Sequence, residues 1–308
     1  MAHEVETMFS TRTTPWHGLG RVVSEAPDSE TALRMAGLDW NVLQKDVYTK
    51  EGFYIPGYKL NYRDTDFQQL GIVTDRYKVV QNMDAFRFTD ELLGAGVKYE
   101  TAGALQGGRR TWILARLPEQ YIIAGDKITP YLLVMNSHDG TSSIKVCMTP
   151  VRVVCSNTLN LAVRSAKRMW QTKHTENIMD RMDDAKETLF FAHGYMSELG
   201  KAIDELNRIK LTDKKVMEYM QTFFPDTAEL SDIQRKNNRK LLEDMKRRYF
   251  DAPDLKHMGK NAYRFINAVS DFATHAEPIR RTKNYEENLF IKTVEGNPMI
   301  DRAYQMVA

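Results

Sequence analysis

Only two cysteines, Cys147 and Cys155, occur in the 308 residues. That is too few for a disulfide framework or a cysteine zinc site and fits a reducing compartment. No apolar run approaches the ~18 residues needed to span a bilayer, and Met1 to Phe9 holds His3, Glu4 and Glu6 where a secretory signal needs cations and then an apolar stretch. A cytoplasmic protein with no membrane partner is the expectation. Charge of one sign is also missing in bulk: 43 Lys and Arg against 41 Asp and Glu leave a formal net charge of +2, so the overall balance selects no polyanionic partner. Ten prolines and seventeen glycines exclude a collagen-like or low-complexity chain. No Walker loop, dinucleotide glycine fingerprint or zinc-protease helix motif occurs, which removes the usual support for nucleotide hydrolysis and redox-cofactor chemistry. No cofactor is expected. What is present is a hydrophobic fraction of 42%, core enough for one large or two ordinary domains.

The first half reads as strands at Trp40 to Tyr48, Phe53 to Tyr62, Leu70 to Val80, Val97 to Leu105, Thr111 to Leu117, Tyr121 to Ala124, Tyr131 to Asn136 and Ser143 to Val154. Gly107-Gly108 and Asp139-Gly140 supply the positive φ of hairpin turns. Short helices are expected at Glu30 to Ala36 and Met83 to Leu93, each stopped by a glycine. Beyond Ser156 the period becomes helical. Thr158 to Arg168 follows the potential caps Ser156 and Asn157, and from Asn177 to Arg208 the residues Ile178, Met182, Ala185, Leu189, Ala192, Met196, Leu199, Ile203 and Leu206 form a heptad seam. Such a seam packs on a helix of the same chain or on a second copy. More helices are expected at Asp213 to Phe223, Ser231 to Phe250, Lys260 to Ala276 and Pro298 to Met306. The predicted class is α+β: a curved, mostly antiparallel sheet in the N-terminal half backed by a helix, residues 1–175, followed by an all-helical part, residues 176–308.

Four stretches carry more identity than their secondary structure requires: Pro15-Trp16-His17-Gly18-Leu19-Gly20, Asn136-Ser137-His138-Asp139-Gly140, Val151-Arg152-Val153-Val154-Cys155-Ser156-Asn157-Thr158-Leu159, and Asn267-Ala268-Val269-Ser270-Asp271-Phe272 with His275. In this order they resemble the phage/plasmid-like protein family, domain of unknown function nine-three-two. The resemblance implies a gene of phages, prophages or conjugative plasmids in a bacterial host, whose neighbours deal with incoming DNA, recombination or anti-restriction. It supplies no mechanism. Antiparallel strands followed by a long helix also resemble the core of single-strand annealing proteins, a likeness of fold alone.

Between Ile128 and Thr175 the sole acid is Asp139, while Lys145, Arg152, Arg164, Lys167, Arg168 and Lys173 are basic and Trp170 stands beside them. Cations that track phosphates next to a flat side chain are what a single strand of nucleic acid needs. The alternative is a solvated basic face with Trp170 in the packing. Arg109 and Arg110 at a hairpin tip would add to such a surface. So would Arg235, Lys236, Arg239, Lys240, Lys246, Arg247 and Arg248, unless these only line the outside of an amphipathic helix.

Arg264, Asn267, Asp271 and His275, at i, i+3, i+7 and i+11, fall in one stripe of a helix. Asp271 and His275 could share a divalent metal or form a carboxylate-imidazole pair, or be an ordinary surface pair. His17 and His138 are the other candidate catalytic side chains, and Cys155 at a helix start reads as a buried structural thiol. The leading expectation is a non-enzymatic, oligomeric protein that binds single-stranded DNA in annealing or recombination. The alternatives are a metal-assisted hydrolase or nuclease built on Asp271 and His275, and an anti-defence protein that binds a host factor.

Overall fold

A computed structural model describes residues 5–11, 21–25, 27–94, 97–117, 121–123, 126–149, 169–175, 186–282, 285, 288–289, 292 and 296–307. The strands are β1 Val5–Thr11, β2 Arg21–Val23, β3 Val42–Tyr48, β4 Tyr54–Arg63, β5 Gln69–Thr74, β6 Lys98–Leu105, β7 Arg110–Arg116, β8 Tyr121–Ile123, β9 Asp126–Ile128, β10 Tyr131–Ser137, β11 Ile144–Thr149 and β12 Met169–Thr172. Seven of them form one sheet in the order β12-β11-β10-β7-β6-β1-β2, antiparallel except for the parallel β1–β2 pair. β3, β4 and β5 form a separate antiparallel sheet, and β8 and β9 a two-stranded one. The helical elements of the second half are Lys186–Arg208, Asp213–Phe223, Asp232–Phe250, the short 3-10 turn Pro253–Met258, Ala262–His275 and Pro298–Val307. The α+β class is therefore as the sequence indicates, with an antiparallel-rich sheet first and helices after it.

The chain divides into two compact units, one of residues 1–120, 129–154 and 167–194, the other of residues 121–128, 155–166 and 195–308. In the first unit, alternation along the strands sends Ala102, Ala104, Ile113, Ala115, Leu132, Val134, Ile144 and Val146 to one core. The helices Ser29–Met35 and Asn82–Leu93 cover it with Ala32, Leu33, Ala85 and Phe86. The expected backing helix, Thr158 to Arg168, lies outside the described residues, as does Cys155. In the second unit Met196, Leu199, Ile203 and Leu206, the C-terminal part of the heptad seam, are each 1% exposed. Caps mark the helix starts there: Thr212 accepts from Lys215 N, Ser231 from Gln234 N and Asn261 from Arg264 N. Among the described residues no helix is long and apolar enough to cross a membrane.

Candidate nucleic-acid interface

The three-stranded sheet has one buried and one open face, and strand period two decides which side chain goes where. Val42, Asn61, Arg63 and Val73 point inward and are buried. Each is held. Asn61 Nδ2 donates to His138 O at 2.7 Å, Gln81 bonds both backbone groups of Val42, and Arg63 bridges Glu6 at 2.6 Å and Asp66 at 2.5 Å beneath the Trp40 ring. Gly71 lies so close to the Asp139 backbone that a Cβ would stand 2.7 Å from Asp139 Cα, so only glycine lets β5 pack there.

The opposite face carries Leu43, Lys45, Tyr58, Leu60, Tyr62 and Ile72, joined by the pairs Leu43 with Tyr62, Lys45 with Leu60 and Leu60 with Ile72. Ile72 is 60% exposed and Phe67, on the turn into β5, 71%. The Phe67 ring stacks on Tyr62 at 6.2 Å and 17°, while Lys45 Nζ lies 5.0 Å from the Tyr62 centroid. Phe67 holds φ at +59°, a left-handed conformation that costs a bulky residue on the order of 1–2 kcal/mol. The turn accounts for it: Phe67 closes the β4–β5 hairpin loop, where its N–H donates to Arg63 O at 3.1 Å, and its ring is left on Tyr62 with one side open to solvent. A groove of about 490 Å³ along these strands takes in Lys45, Leu60 and Ile72 of the open face together with Asp46, Val47, Tyr48, Gln69, Gly71 and Arg109. The Asp46 carboxylate is taken by Lys59 at 2.5 Å. Arg109 reaches the groove from the β6–β7 turn, where Gly107 and Gly108 hold φ at +67° and +84°; its carbonyl accepts from His138 N at 2.7 Å.

Of the residues expected to bind nucleic acid, Arg109 is exposed and joins this groove. Arg110 is half-buried on β7 and bonds Thr141 Oγ1 at 3.1 Å. Lys145 is half-buried on β11. Trp170 stands half-buried on β12 opposite Val146 and packs against the sheet core. Arg152, Arg164, Lys167 and Arg168 lie outside the described residues, as does His17. The basic helix Asp232–Phe250 largely neutralises itself: Arg235 and Arg239 both hold Asp226 at 2.8 and 2.7 Å, Lys246 holds Glu243, and Arg247 and Arg248 hold Asp244. The two arginines push the Asp226 carboxyl down to about 2.

The proposed polar stripe does not face solvent as a unit. Arg264 and Asn267 are buried. Arg264 donates to Tyr249 O from Nε at 3.1 Å and from a terminal nitrogen at 2.6 Å and lies over the Tyr249 ring, and Asn267 Nδ2 donates to Tyr263 O. Both satisfy main-chain carbonyls inside the helical unit. Asp271 and His275 do meet, at 3.1 Å, yet Arg248 takes the second Asp271 oxygen at 2.6 Å. Burial pushes the Asp271 carboxyl up, but the bonds from His275 and Arg248 outweigh it and hold the group below its ordinary value. Its stabilising contribution is thus present above the ordinary carboxylate pKa and lost as pH falls through the lowered one. Asp271→Asn is expected to cost about 1 to 3 kcal/mol at neutral pH, read from a urea melt; an unchanged midpoint would show the pair to be energetically idle. His138 is completely buried, with Nε2 on Asn82 Oδ1 at 3.0 Å and its ring edge-on to Trp40, a core histidine in place of the catalytic candidate. Among the described residues no three His, Cys, Asp or Glu side chains are grouped to hold a metal.

The open face was missed in the sequence, although Tyr48, Phe53, Tyr54, Tyr58, Tyr62 and Phe67 crowd a short stretch. Strand spacing alone does not say which side of a sheet stays bare. No curated protein and no solved structure matches the chain. A family model described as "Domain of unknown function (DUF932)" matches residues 69–292, from the start of β5 into the C-terminal helical region and well over half of the chain. On that match the chain belongs to the DUF932 family.

Proposed function

We propose that this protein binds single-stranded nucleic acid, DNA in the first instance, on the open face of β3–β5, without catalysis. The observation that carries the reading is the exposed Tyr62–Phe67 stack with Lys45 at its edge and Arg109 in the adjoining groove. Bases of any sequence stack on a bare aromatic ring, and the two cations meet the phosphates. Inside a phage or plasmid such a surface would serve annealing or recombination, acting in an oligomer. The hydrolase alternative has the Asp271–His275 contact in its favour. Against it, the Arg248 guanidinium occupies the carboxylate where a divalent metal would coordinate, and its charge opposes a cation.

Base stacking on one ring is worth ~1–3 kcal/mol. Phe67→Ala is therefore expected to weaken binding of unstructured single strands by roughly five- to a hundredfold, alike for thymidine-rich and adenine-rich oligomers. Lys45→Ala with Arg109→Ala should flatten the salt dependence by about 0.7 in log-log slope for each phosphate that the protein no longer neutralises. Anisotropy titrations over a salt series measure both. Wild-type affinity in Phe67→Ala, with an unchanged slope in the double variant, would contradict the proposal.

A further inference from the structure

We infer that this face holds three consecutive nucleotides of a single strand in a drawn-out, unstacked form, with one base on Tyr58, one over Leu60 and Ile72, and one on the Tyr62–Phe67 pair. The inference rests on reading the face as a single-strand interface. β4 pairs without interruption with β5 from Tyr58 to Asn61 and with β3 from Lys59 to Arg63, so Tyr58, Leu60 and Tyr62 alternate onto one face. Tyr58 is 47% exposed. Leu60 has Ile72 beside it on β5 and Lys45 beside it on β3, which makes the middle position an apolar patch with a cation at its edge. Tyr48 and Tyr54 take no part. Pro56, Gly57 and Tyr58 are inserted in β4 between the pairs Val47 with Ile55 and Asp46 with Lys59. Tyr48 keeps the side of Asp46 along β3, and Tyr54 pairs with it on the reverse of the hairpin.

The pleat sets the spacing. Same-face positions on a strand follow one another at roughly 7 Å, which puts Tyr58 and Tyr62 about 13 Å apart. One strand of a duplex advances only about 3.4 Å per nucleotide. Bases that stay stacked on each other therefore cannot occupy successive positions of this face. A strand extended about twofold can, because the string of single bonds between successive phosphates spans the longer interval once its bases separate, and a duplex does not permit this while its pairs remain stacked. Sheet faces that carry aromatic rings hold two or three bases in this manner. Lys45 Nζ, on the neighbour of Leu60 and 5.0 Å from the Tyr62 centroid, stands between the middle position and the Tyr62 end, where a phosphate passes.

The test uses the full chain and oligothymidylates of about one to six nucleotides, titrated by calorimetry or nuclear magnetic resonance. Affinity is expected to climb through the third nucleotide, by roughly five- to a hundredfold for the one that reaches Tyr58, and to level off beyond it. Tyr58→Ala should remove that last gain and leave the dinucleotide unaffected, Tyr58→Phe should keep it, and Tyr54→Ala should change no length. Oligodeoxyadenylate, stacked when free, should lose its stacked-base circular dichroism on binding. A retained stacked signal, or a Tyr58→Ala loss equal at all lengths, overturns the three-nucleotide inference while the single-strand reading stands. Absence of binding at any length overturns both. Self-association that Phe67→Ala and Tyr58→Ala abolish, seen by sedimentation without oligonucleotide, would make the face a contact between copies and also overturn both. Melting curves of each variant confirm that it is folded.

Discussion

Replacing Ile203 by Asp is expected to unfold the second unit. Ile203 is 1% exposed in the seam with Met196, Leu199 and Leu206, so the change removes a fully buried aliphatic side chain, worth about 1.5–3 kcal/mol. It also strands a carboxylate away from water, which costs several kcal/mol more on the order of magnitude seen for uncompensated buried charges. The sum exceeds ~4 kcal/mol, a large share of the stability of an ordinary domain. Glu205→Ala, two residues away on the exposed side, should change stability by no more than about 0.5 kcal/mol. Circular-dichroism melts of the two variants check this: a wild-type midpoint for Ile203→Asp would mean that the helix Lys186–Arg208 is not a packing seam.

Acid is expected to weaken the first unit well above the pH at which its carboxylates titrate. The Asn82 amide donates to Leu38 O, so its oxygen faces His138 and accepts the proton on Nε2. His138 Nδ1 is left as a bare lone pair, buried and without a hydrogen-bond partner. His174 donates from Nδ1 to Lys78 O at 3.1 Å and stacks on Tyr77 at 4.6 Å, with Nε2 equally bare. Burial first, and then the neighbouring His174 charge, push His138 down to about 3 against the opposing pull of Asp139. Burial also lowers His174, with Lys78 O and Asp139 opposing.

The unfolded chain takes up a proton on each ring near pH 6.5 and the native protein does not. Stability is therefore complete above about 6.5 and lost as pH falls toward about 3, by roughly 1.4 kcal/mol per pH unit for His138 alone. Urea midpoints between pH 7 and 5 should fall, and the slope of His138→Asn should be smaller by about one proton. A flat midpoint over that range would contradict the buried neutral state. The main chain of His138 joins the Arg109 turn to β4, its N–H donating to Arg109 O and its carbonyl accepting from Asn61, so losing this order loosens the support of the open face.

Long, strongly periodic elements were legible in the sequence: β6, β7 and β10 and the helix Asp213–Phe223 lie close to where spacing puts them. The four-residue β12 was not, because Met169–Thr172 is too short to show alternation between the cations Arg168 and Lys173, and Trp170 then reads as a surface ring. The stripe on the helix Ala262–His275 has the predicted spacing but another meaning. A helix buried through most of its length needs polar side chains to satisfy neighbouring carbonyls, and Tyr249 O, which Arg264 serves, belongs to a different element. The open face depended on a still longer reach. Asn61 and His138, 77 residues apart in sequence, settle which side of β4 is covered and leave Tyr58 and Tyr62 on the other.

The central claim is that single-stranded nucleic acid lies on the open face of β3–β5, and ultraviolet crosslinking of a bromodeoxyuridine-labelled single strand, followed by peptide mapping, tests it most directly. Crosslinks are predicted at Tyr58, Tyr62 or Phe67, reduced by unlabelled single strand and much less by duplex, since a flat ring stacks on splayed bases. Crosslinks confined to the basic segment between Lys145 and Lys173, or no crosslink at all under conditions where the protein is folded, would contradict it.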